Sequence, residues 1–347
     1  MEGQRILVVK PSSLGDIVHS LPFLKVLRRG FPEAHIAWVV GRSNADLLCE
    51  HPDLDEVIVF ERERWGGMKD VVQSMSEVSA FVRRLRRRHY DLVVDLQGLF
   101  RSGLLTYVTG APRRVGFRSG RELSSLFYNV RVDVPGAEMH AVDRYLLVAR
   151  RLGLQLDGEP EFDVRIGREA REFAEAYLAS ANPAGRPLVV MLPSSRWETK
   201  RWPAERFAAL ADRVVGELEA VVLFLGSAGD VPLVGRITAM MKKAARNLAG
   251  ETTLRRSAAL LARADVVVAN DTGPMHLAVA LAAPVVALYG PTSPARTGPY
   301  DGTARVLHST RECAPCFRAH CDAPECMTDL SVDDVFTAVR ELLGTGH

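Results

Sequence analysis

The segment KPSSLGDIVHSLP, residues 10–22, contains a carboxylate that could act in catalysis, that of Asp16. The segment directly follows an apolar run. The Ser-Ser-Leu-Gly turn offers free backbone N–H groups at a predicted helix start, which favours an anion or a sugar hydroxyl near Ser13 and Gly15. Asp16 has two interpretations: it caps the helix, or it is a base that takes the proton from an attacking hydroxyl. His19, one turn further, is expected to have a packing role.

A second segment, ANDTGPMHLAVALAAPVVALYGPTSP at residues 269–294, predicts a diphosphate site, although the dinucleotide fingerprint GxGxxG is absent. Its proline is tolerated at a helix start because the missing N–H would be unpaired there. Gly273 allows close approach to the backbone, and the helix dipole favours negative charge. Asp271, Thr272 and Gly273 are therefore expected to line a pyrophosphate cradle. His276 either donates to a phosphate or sugar oxygen or is a buried structural histidine.

A third segment, MLPSSRWETKRWP at residues 191–203, again lies between a strand-like run and a predicted helix. The hydroxyls of Ser194 and Ser195 suit phosphate oxygens, and Lys200 suits the charge that builds on a departing diphosphate. The alternative for Lys200 is an ordinary solvated lysine. Asp230, in the sequence GSAGD after the next apolar run, is a candidate acceptor for ribose hydroxyls.

Regular elements must position these segments, and the apolar runs predict them. Strands are expected at 6–9, 36–40, 57–60, 92–96, 188–192, 221–225, 266–268 and 285–288, and helices at 170–181, 204–216, 254–263, 275–281 and 332–343. Buried strands alternating with helices are typical of doubly wound parallel sheets. The sequence within residues 152–187 is rich in glycine and proline, which indicates a linker between two domains.

The predicted architecture is therefore α/β, with two Rossmann-like domains at 1–165 and 166–347 that face each other across a cleft. Such domains bind ligands at the carboxyl ends of their strands. By fold analogy, the last helix is expected to pack back on the N-terminal domain.

Composition supports the same class, since 347 residues with 47% hydrophobic and 25% charged residues suit two domains. No apolar run of bilayer length and no signal-type segment are found, which predicts a soluble, cytoplasmic protein. The net charge of +2 gives no support for a nucleic-acid partner.

Seven segments together resemble, in order, those of glycosyltransferase family 9, which contains the ADP-heptose:lipopolysaccharide heptosyltransferases. They are KPSSLGDIVHSLP, DLVVDLQGLFRS, RELSSLFYN, HAVDRY, PSSRWETKRWP, NDTGPMHLA and YGPTSP. This resemblance extends over nearly the whole chain. It implies a GT-B fold whose C-terminal domain binds ADP-L-glycero-D-manno-heptose, and transfer of the heptose to the lipopolysaccharide inner core with inversion and without a catalytic metal.

The resemblance also implies roles for single residues. Asp16 matches the general base, and Lys200 matches the residue that stabilises the diphosphate. The donor-binding positions are Ser194, Ser195, Asp271, Thr272, Gly273, His276 and, in a loop that differs from the family pattern, Asp230.

The implied acceptor carries many phosphates and carboxylates, so its site needs cations. The positions that resemble the family's acceptor site are Ser13, Gly15, Arg62, Arg64, Arg121, His140 and Arg144. Arginine suits bidentate recognition of both anion types. The basic run at 83–88 predicts a solvated face or one in peripheral contact with an anionic membrane surface.

Four clustered cysteines lie in CAPCFRAHCDAPECM, at Cys313, Cys316, Cys321 and Cys326. This spacing allows a structural zinc or cluster site. Reduced thiols or an oxidation-sensitive loop are the alternatives, since a cytosolic location disfavours stable disulfides. The predicted transfer chemistry requires no cofactor.

Two other classes of function remain open at this point. One is a GT-B enzyme that uses another nucleotide sugar, or a nucleotide-sugar hydrolase or epimerase that would share the diphosphate cradle. The other is a non-enzymatic, metal-binding scaffold. The presence of both Asp16 and Lys200 favours catalysis.

Overall fold

The computed structural model describes residues 3–61, 71–300, 304–323 and 325–344, and the chain divides into two compact units, Met1–Arg165 and Ile166–His347. Arg62 and Arg64, two of the predicted acceptor positions, lie outside the described residues. Each unit is a parallel sheet with helices between its strands. The prediction of two doubly wound α/β units is confirmed.

The N-terminal unit contains the following elements: β1 Arg5–Val9, α1 Leu14–His19, α2 Leu21–Gly30, β2 His35–Gly41, α3 Ala45–Leu48, β3 Glu56–Phe60, α4 Val71–Arg86, β4 Leu92–Asp95, α5 Phe100–Val108, β5 Arg113–Phe117, β6 Val130–Val132 and α6 Ala141–Arg151. Short 3₁₀ turns lie at Arg42–Asn44 and Ser124–Phe127. The strand order is β3-β2-β1-β4-β5-β6, and every neighbouring pair is parallel.

The C-terminal unit contains α7 Arg168–Ala181, β7 Leu188–Leu192, α8 Ala204–Glu217, β8 Val221–Phe224, α9 Val231–Met240, β9 Arg246–Asn247, α10 Leu254–Leu261, β10 Val266–Asn270, α11 Gly273–Ala280, β11 Val285–Tyr289, α12 Pro294–Thr297, β12 Arg305–His308, α13 Glu325–Thr328 and α14 Val332–Gly344. Short 3₁₀ turns lie at Glu198–Lys200 and Ala228–Asp230. The strand order is β12-β11-β10-β7-β8-β9, again with parallel neighbours. Counted from each unit's own first strand, the two sheets have the same order.

The central strands form because their sequences are continuously apolar and are buried on both faces. Every residue of β7, β10 and β11 is buried, which is the pattern that a parallel sheet covered by helices requires. These strands were predicted from the sequence, and their ends differ from the prediction by at most two residues.

Four strands were missed by the sequence analysis: β5, β6, β9 and β12. They are short or polar, and both residues of β9 are exposed. Such segments lack an apolar run because they lie at or near the sheet edges, where one face is solvated. Pairing with a neighbouring strand specifies them more than local propensity does.

The last helix packs within the C-terminal unit. Five α14 residues, Val335, Phe336, Ala338, Val339 and Leu342, are buried in the same apolar core as Trp202 and Phe207. Its apolar face is therefore occupied by its own unit. The expectation, taken from fold analogy, that the helix packs back on the N-terminal domain stays a prediction.

Both sheets have a topological switch point, where chain connections leave in opposite directions from two adjacent central strands. In the N-terminal unit it lies between β1 and β4, and in the C-terminal unit between β7 and β10. Loops at the carboxyl ends of these strands frame a crevice that binds ligands in open α/β sheets. The predicted catalytic residues Asp16 and Lys200 follow β1 and β7, one in each unit.

Candidate active site

The carboxylate of Asp16 lies at the start of α1, where Ser13 is the N-cap residue. Asp16 Oδ2 accepts hydrogen bonds from the Ser13 N–H at 3.0 Å and from the Ser13 hydroxyl at 2.7 Å. Its other oxygen, Oδ1, accepts from the Tyr145 hydroxyl at 3.2 Å. Asp16 is thus not the N-cap itself, and its side chain remains 41% exposed.

A buried lysine sets the charge state of Asp16. Lys10 Nζ lies 3.6 Å from Asp16 Oδ1, and the lysine side chain is 3% exposed. Packing around the carboxyl favours its neutral form, but the Lys10 ammonium and the Ser13 donors outweigh this and hold the pKa of Asp16 below its ordinary value. The group is therefore an exposed, ionised carboxylate that can accept a proton.

Lys10 is itself held in place at the carboxyl end of β1. Its ammonium donates to the Leu96 carbonyl at 3.3 Å and lies 5.1 Å from the centre of the Tyr145 ring. Burial lowers the pKa of Lys10, while the nearby charges of Asp16 and Asp95 act in the opposite direction. Sequence analysis did not identify Lys10 as a site residue. Its position directly after β1 was the available signal.

The acceptor candidates that the structure describes lie near the carboxyl end of the same sheet. His140 caps α6 by accepting the Val142 N–H at its Nδ1, 3.2 Å away, and its ring centre is 5.2 Å from that of His19. The Arg144 guanidinium lies 4.5 Å from the centre of the Phe117 ring. His19 is buried, in keeping with its expected packing role.

Ser13 and Gly15 belong to the start of α1 next to Asp16, and Gly15 is buried. Arg121 is exposed, and its backbone N–H donates to the Gly98 carbonyl at 2.9 Å, just beyond the carboxyl end of β4. The N-terminal unit thus brings together a carboxylate, hydroxyls and cations at its switch point.

The C-terminal unit gathers its polar groups around Asp271, directly after β10. Asp271 Oδ2 accepts from Lys200 Nζ at 2.6 Å and from the Thr292 hydroxyl at 2.7 Å, and Oδ1 lies 3.6 Å from His276 Nε2. The Ser195 hydroxyl donates to the Asp271 backbone carbonyl at 3.0 Å. The side chains of Lys200, Thr292 and His276 therefore converge on the Asp271 carboxylate, and Ser195 holds the backbone of the same residue.

Asp271 is buried, with its side chain 6% exposed. Burial alone would favour the neutral acid, but the hydrogen bond from His276 and the charge of Lys200 keep the pKa of Asp271 below its ordinary value. The Lys200 side chain is 18% exposed, and its ammonium lies 4.7 Å from the centre of the Trp197 ring. The lysine is the member of this pair that faces solvent.

The predicted diphosphate cradle begins at α11. Thr272 is the N-cap residue, the helix starts at Gly273, and a proline lies in the first turn as expected. Thr272 and Gly273 are half-buried, so solvent reaches the first turn. The N–H groups of a helix start together with the adjacent Lys200 ammonium form an environment that favours an anion.

The hydroxyls of Ser194 and Ser195 have protein partners. Ser194 donates to Asp230 Oδ1, and Asp230 Oδ2 accepts from the Ser227 N–H at 2.8 Å. A Cβ at Gly226 would lie 2.9 Å from the Asp230 Cβ, so the glycine permits this close packing. Ser195 is buried, and its hydroxyl positions the Asp271 loop as described above.

One known protein family matches most of this chain. A family model described as glycosyltransferase family 9 (heptosyltransferase) matches residues 78–327. The chain belongs to glycosyltransferase family 9. The resemblance noted in the sequence is thereby confirmed, and the fold class is the GT-B type of this family.

Full-length relatives of this family 9 glycosyltransferase support the assignment. It is 36% identical to lipopolysaccharide heptosyltransferase 1 of Pseudomonas aeruginosa over 98% of both chains, and 32% identical to lipopolysaccharide heptosyltransferase 2 of Escherichia coli over 87% of both. A solved structure of E. coli heptosyltransferase WaaC with ADP-2-deoxy-2-fluoro heptose is similar, with a TM-score of 0.75 and 26% identity, covering 97% of this chain and 99% of that one.

The cysteine segment of the glycosyltransferase braces two of its site loops. The Phe317 N–H donates to the Pro291 carbonyl at 2.8 Å, next to Thr292, and the Thr199 hydroxyl donates to the Arg318 carbonyl at 2.9 Å, next to Lys200. These contacts position both residues that bond Asp271. Sequence analysis missed this role because it depends on pairings between distant segments.

The predicted metal set at Cys313, Cys316, Cys321 and Cys326 is not assembled. All four are free thiols within the described residues, and no three of them bring their sulfurs within 4.8 Å of one another. Burial, reinforced by the other cysteines, raises the pKa of the Cys326 thiol, so it stays protonated. A structural zinc or cluster at these cysteines therefore stays a prediction.

In the described part of the chain, three potential metal ligands lie within 4.8 Å of one another at His51, Asp53 and Asp163. The Lys25 ammonium already lies between the carboxylates, 3.4 Å from Asp53 and 3.8 Å from Asp163. His51 Nε2 is 3.0 Å from the Asp163 carbonyl, and its Nδ1 accepts the Asp53 N–H at 3.2 Å. This group is a charge-compensated structural contact.

Proposed function

We propose that this family 9 glycosyltransferase transfers L-glycero-D-manno-heptose from ADP-heptose to the inner core of lipopolysaccharide, with inversion at the anomeric carbon. The observation that carries the proposal is the arrangement of its two Lys–Asp pairs. In the N-terminal unit the Asp16 side chain is 41% exposed, and in the C-terminal unit the Lys200 side chain, at 18%, is more exposed than its partner Asp271. A transferase of this kind needs a proton acceptor for the incoming hydroxyl and a cation for the leaving diphosphate.

The donor belongs to the C-terminal unit in this proposal. The N–H groups at Thr272 and Gly273 bind the diphosphate, with Lys200 beside them. His276 and Ser194 complete its polar surroundings, and Asp230 accepts from the ribose. Ser195 and Asp271 act by holding the loops, which is supported by their burial and by the hydrogen bonds that they make.

The acceptor belongs to the N-terminal unit. Arg121, His140 and Arg144 bind acidic groups of the lipopolysaccharide inner core, as Arg62 and Arg64 do in the sequence-based proposal. Ser13 and Gly15 shape the surface next to Asp16. The support is charge: phosphates and carboxylates of the acceptor require cations, and guanidinium groups bind both.

The reaction step is a single displacement. The acceptor hydroxyl attacks the anomeric carbon of the heptose, its proton passes to Asp16, and the bond between that carbon and the diphosphate oxygen breaks. ADP leaves with the bonding electron pair. Lys200 stabilises the negative charge that grows on it, an interaction that strengthens towards the transition state.

We further propose that the enzyme works at the cytoplasmic face of the membrane that holds its lipid acceptor. Within the described ranges, no helix is both long and apolar enough to span a bilayer. The contact proposed is peripheral and electrostatic, because anionic headgroups attract clustered arginines.

The test measures ADP release and the mass of the product. Purified protein is given ADP-heptose with either of two acceptors, Kdo-lipid A or heptosyl-Kdo-lipid A. We expect ADP release that depends on an acceptor and a product heavier by one heptose, and the preferred acceptor identifies the order of addition. Equal ADP release without an acceptor would indicate a hydrolase, and preference for a uridine diphosphate sugar would contradict the proposed donor.

A further inference from the structure

Exposed apolar side chains are concentrated on one face of the N-terminal unit. Among the described residues, five large apolar side chains that are exposed belong to α5 and the following 3₁₀ turn: Phe100, Leu104, Tyr107, Leu123 and Leu126. Leu123 and Leu126 are 69% and 68% exposed. Contiguous exposed apolar groups of this kind mark interaction surfaces, whereas single ones are ordinary. We call these five residues the apolar patch.

The α5 half of the apolar patch follows the helical repeat. Phe100, Leu104 and Tyr107 are spaced by four and three residues, which places them on one stripe. The residues between them, Leu105 and Thr106, are buried against the unit. The stripe is therefore a second apolar face of α5, in addition to the face that packs in the core.

The 3₁₀ half is held tightly against α5. The Phe127 ring centre is 5.3 Å from that of Phe100 and 6.0 Å from that of Tyr107. A Cβ added at Gly103 would lie 2.7 Å from a ring carbon of Phe127, so the helix approaches the turn as closely as glycine allows. The two halves form one continuous surface around Phe127.

The backbone before the turn is held in an unfavourable conformation. Glu122 and Leu123 have φ angles of 55° and 62°, in the left-handed region that disfavours residues with a Cβ. A leucine that is both strained and exposed contributes little to folding. Such strain is typical of functional segments.

The surroundings of the apolar patch are basic. From residue 100 to residue 131 the chain carries six arginines and one acidic residue, Glu122. Arg101, Arg113, Arg118, Arg121 and Arg131 are exposed. Exposed apolar groups accompanied by exposed cations are complementary to a bilayer surface that presents anionic headgroups above acyl chains.

The basic run at 83–88, predicted to be solvated or membrane-facing, differs in this respect. The apolar residues within and beside it, Phe81 and Leu85, are buried. Among the described residues of α4, Val78 is the one large apolar side chain that is exposed, so the run offers charge with little exposed apolar surface and supports mainly the electrostatic part of a membrane contact.

We propose that the apolar patch, with the exposed arginines of the same segment, is the surface by which this enzyme docks on an anionic lipid bilayer. The inference rests on the proposed function in one respect: a lipid-anchored acceptor must be met at a membrane. Arg121, an acceptor candidate, lies two residues before Leu123, so docking here brings the acceptor site to the headgroup level.

The experiment measures binding of the full chain to sedimented vesicles of phosphatidylcholine with or without phosphatidylglycerol, in the absence of donor and acceptor. The test variant combines Leu123→Asn with Leu126→Ser, since asparagine tolerates the left-handed conformation. We expect its affinity for the anionic vesicles to fall at least about tenfold. Leu104→Gln, on the exposed stripe of α5, tests the same surface should the turn variant fold poorly.

Two matched controls sharpen the result. Met240→Ser removes an exposed apolar side chain from the C-terminal unit, and the pair Arg84→Gln and Arg87→Gln removes charge from the basic run. Met240→Ser should bind nearly as the unchanged protein does, and the Arg84 and Arg87 pair should lose less affinity than the patch variants, because the basic run contributes charge alone. The pair Arg101→Gln and Arg113→Gln should weaken binding and reduce its dependence on salt.

The proposal is overturned if the patch variants bind anionic vesicles like the unchanged protein, or if only the Arg84 and Arg87 pair matters. A change in oligomeric state with unchanged vesicle binding would also overturn it and indicate contact with a second copy. Transfer to a lipid-free core oligosaccharide should survive in the patch variants while transfer to vesicle-embedded acceptor falls. Vesicle binding without any transferase activity would instead contradict the proposed function and leave the docking proposal standing.

Discussion

The two units of the chain use the same strand order and a similar charge pair to opposite effect. After β1, the lysine of the pair is buried and Asp16 is 41% exposed. After β7 and β10, Asp271 is buried at 6% exposure and Lys200 is the more exposed partner at 18%. One unit presents a carboxylate supported by a hidden ammonium, and the other presents an ammonium supported by a hidden carboxylate.

In the proposed mechanism, this difference lets one architecture supply both halves of a group transfer. The buried Lys10 ammonium holds the pKa of Asp16 below its ordinary value and keeps this carboxylate ionised. The carboxylate then suits proton acceptance and the ammonium suits anion stabilisation. The predictions below test whether the exposed members act in chemistry and the buried members in structure.

The largest effect is expected for Asp16→Asn. Removing the proton acceptor should lower kcat by about 1,000-fold. The urea midpoint of unfolding should also fall, because the buried Lys10 ammonium loses its counter-charge. Steady-state kinetics and urea denaturation check this. The matched control is Asp157→Asn, an exposed loop carboxylate, and kinetics like those of the control would remove Asp16 from the mechanism.

The next effect is expected for Lys200→Met, which removes the cation beside the leaving diphosphate. Because this interaction strengthens as the bond breaks, kcat should fall by about 100-fold with a smaller change in KM. Lys200→Arg keeps the charge and should recover part of the rate. A change in KM alone would mean that Lys200 only binds the donor.

Asp271→Asn should act mainly on stability. The change removes a buried charge that accepts hydrogen bonds from Lys200 and Thr292, so the free energy of unfolding should fall by about 2 kcal/mol. The folded-state pKa lies below 3.8, so the contribution of this charge is complete above about pH 4 and is lost only in stronger acid. Urea unfolding at several pH values measures both features, and equal stability at neutral pH would contradict this role.

The smallest effect is expected for Lys10→Met, seen as a change in pH dependence. Without the ammonium, burial around Asp16 is less opposed, so the pKa of Asp16 rises. The acid limb of the pH profile of kcat/KM should therefore move to higher pH. Tyr145→Phe removes only the hydroxyl 3.2 Å from Asp16 and serves as the control. An unmoved acid limb in Lys10→Met would show that Asp16 does not set it.

Sequence analysis placed the central strands and five helices of the C-terminal unit, α7, α8, α10, α11 and α14, because their signals are local. Apolar runs such as residues 188–192 and a proline after Gly273 carry their own structural meaning. The edge strands β9 and β12 were missed because their pairing partners, not their own residues, specify them. The sequence did not reveal that α14 packs in the core of its own unit, since an amphipathic helix does not encode which core it covers.

Within the candidate site, sequence analysis named loops that the structure places at the carboxyl ends of β1, β7 and β10, and it did not rank their residues by exposure. Ser195 and Asp271 stay predicted donor-binding residues, and the structure adds that both are buried and hydrogen-bond neighbouring loops. Lys10 and the brace from the cysteine segment were not foreseen. Each of these roles depends on contacts between segments far apart in the chain.

The amino-acid sequence by itself determined that this protein has two doubly wound units, and which loops carry charge and hydroxyls, because turns and apolar runs are read over a few residues. Only the tertiary structure decided which member of each Lys–Asp pair meets solvent. That choice depends on Tyr145, which is 129 residues from Asp16, and on Thr292, which is 21 residues from Asp271. The exposure of a side chain depends on packing, and packing brings residues that are far apart in the sequence into contact.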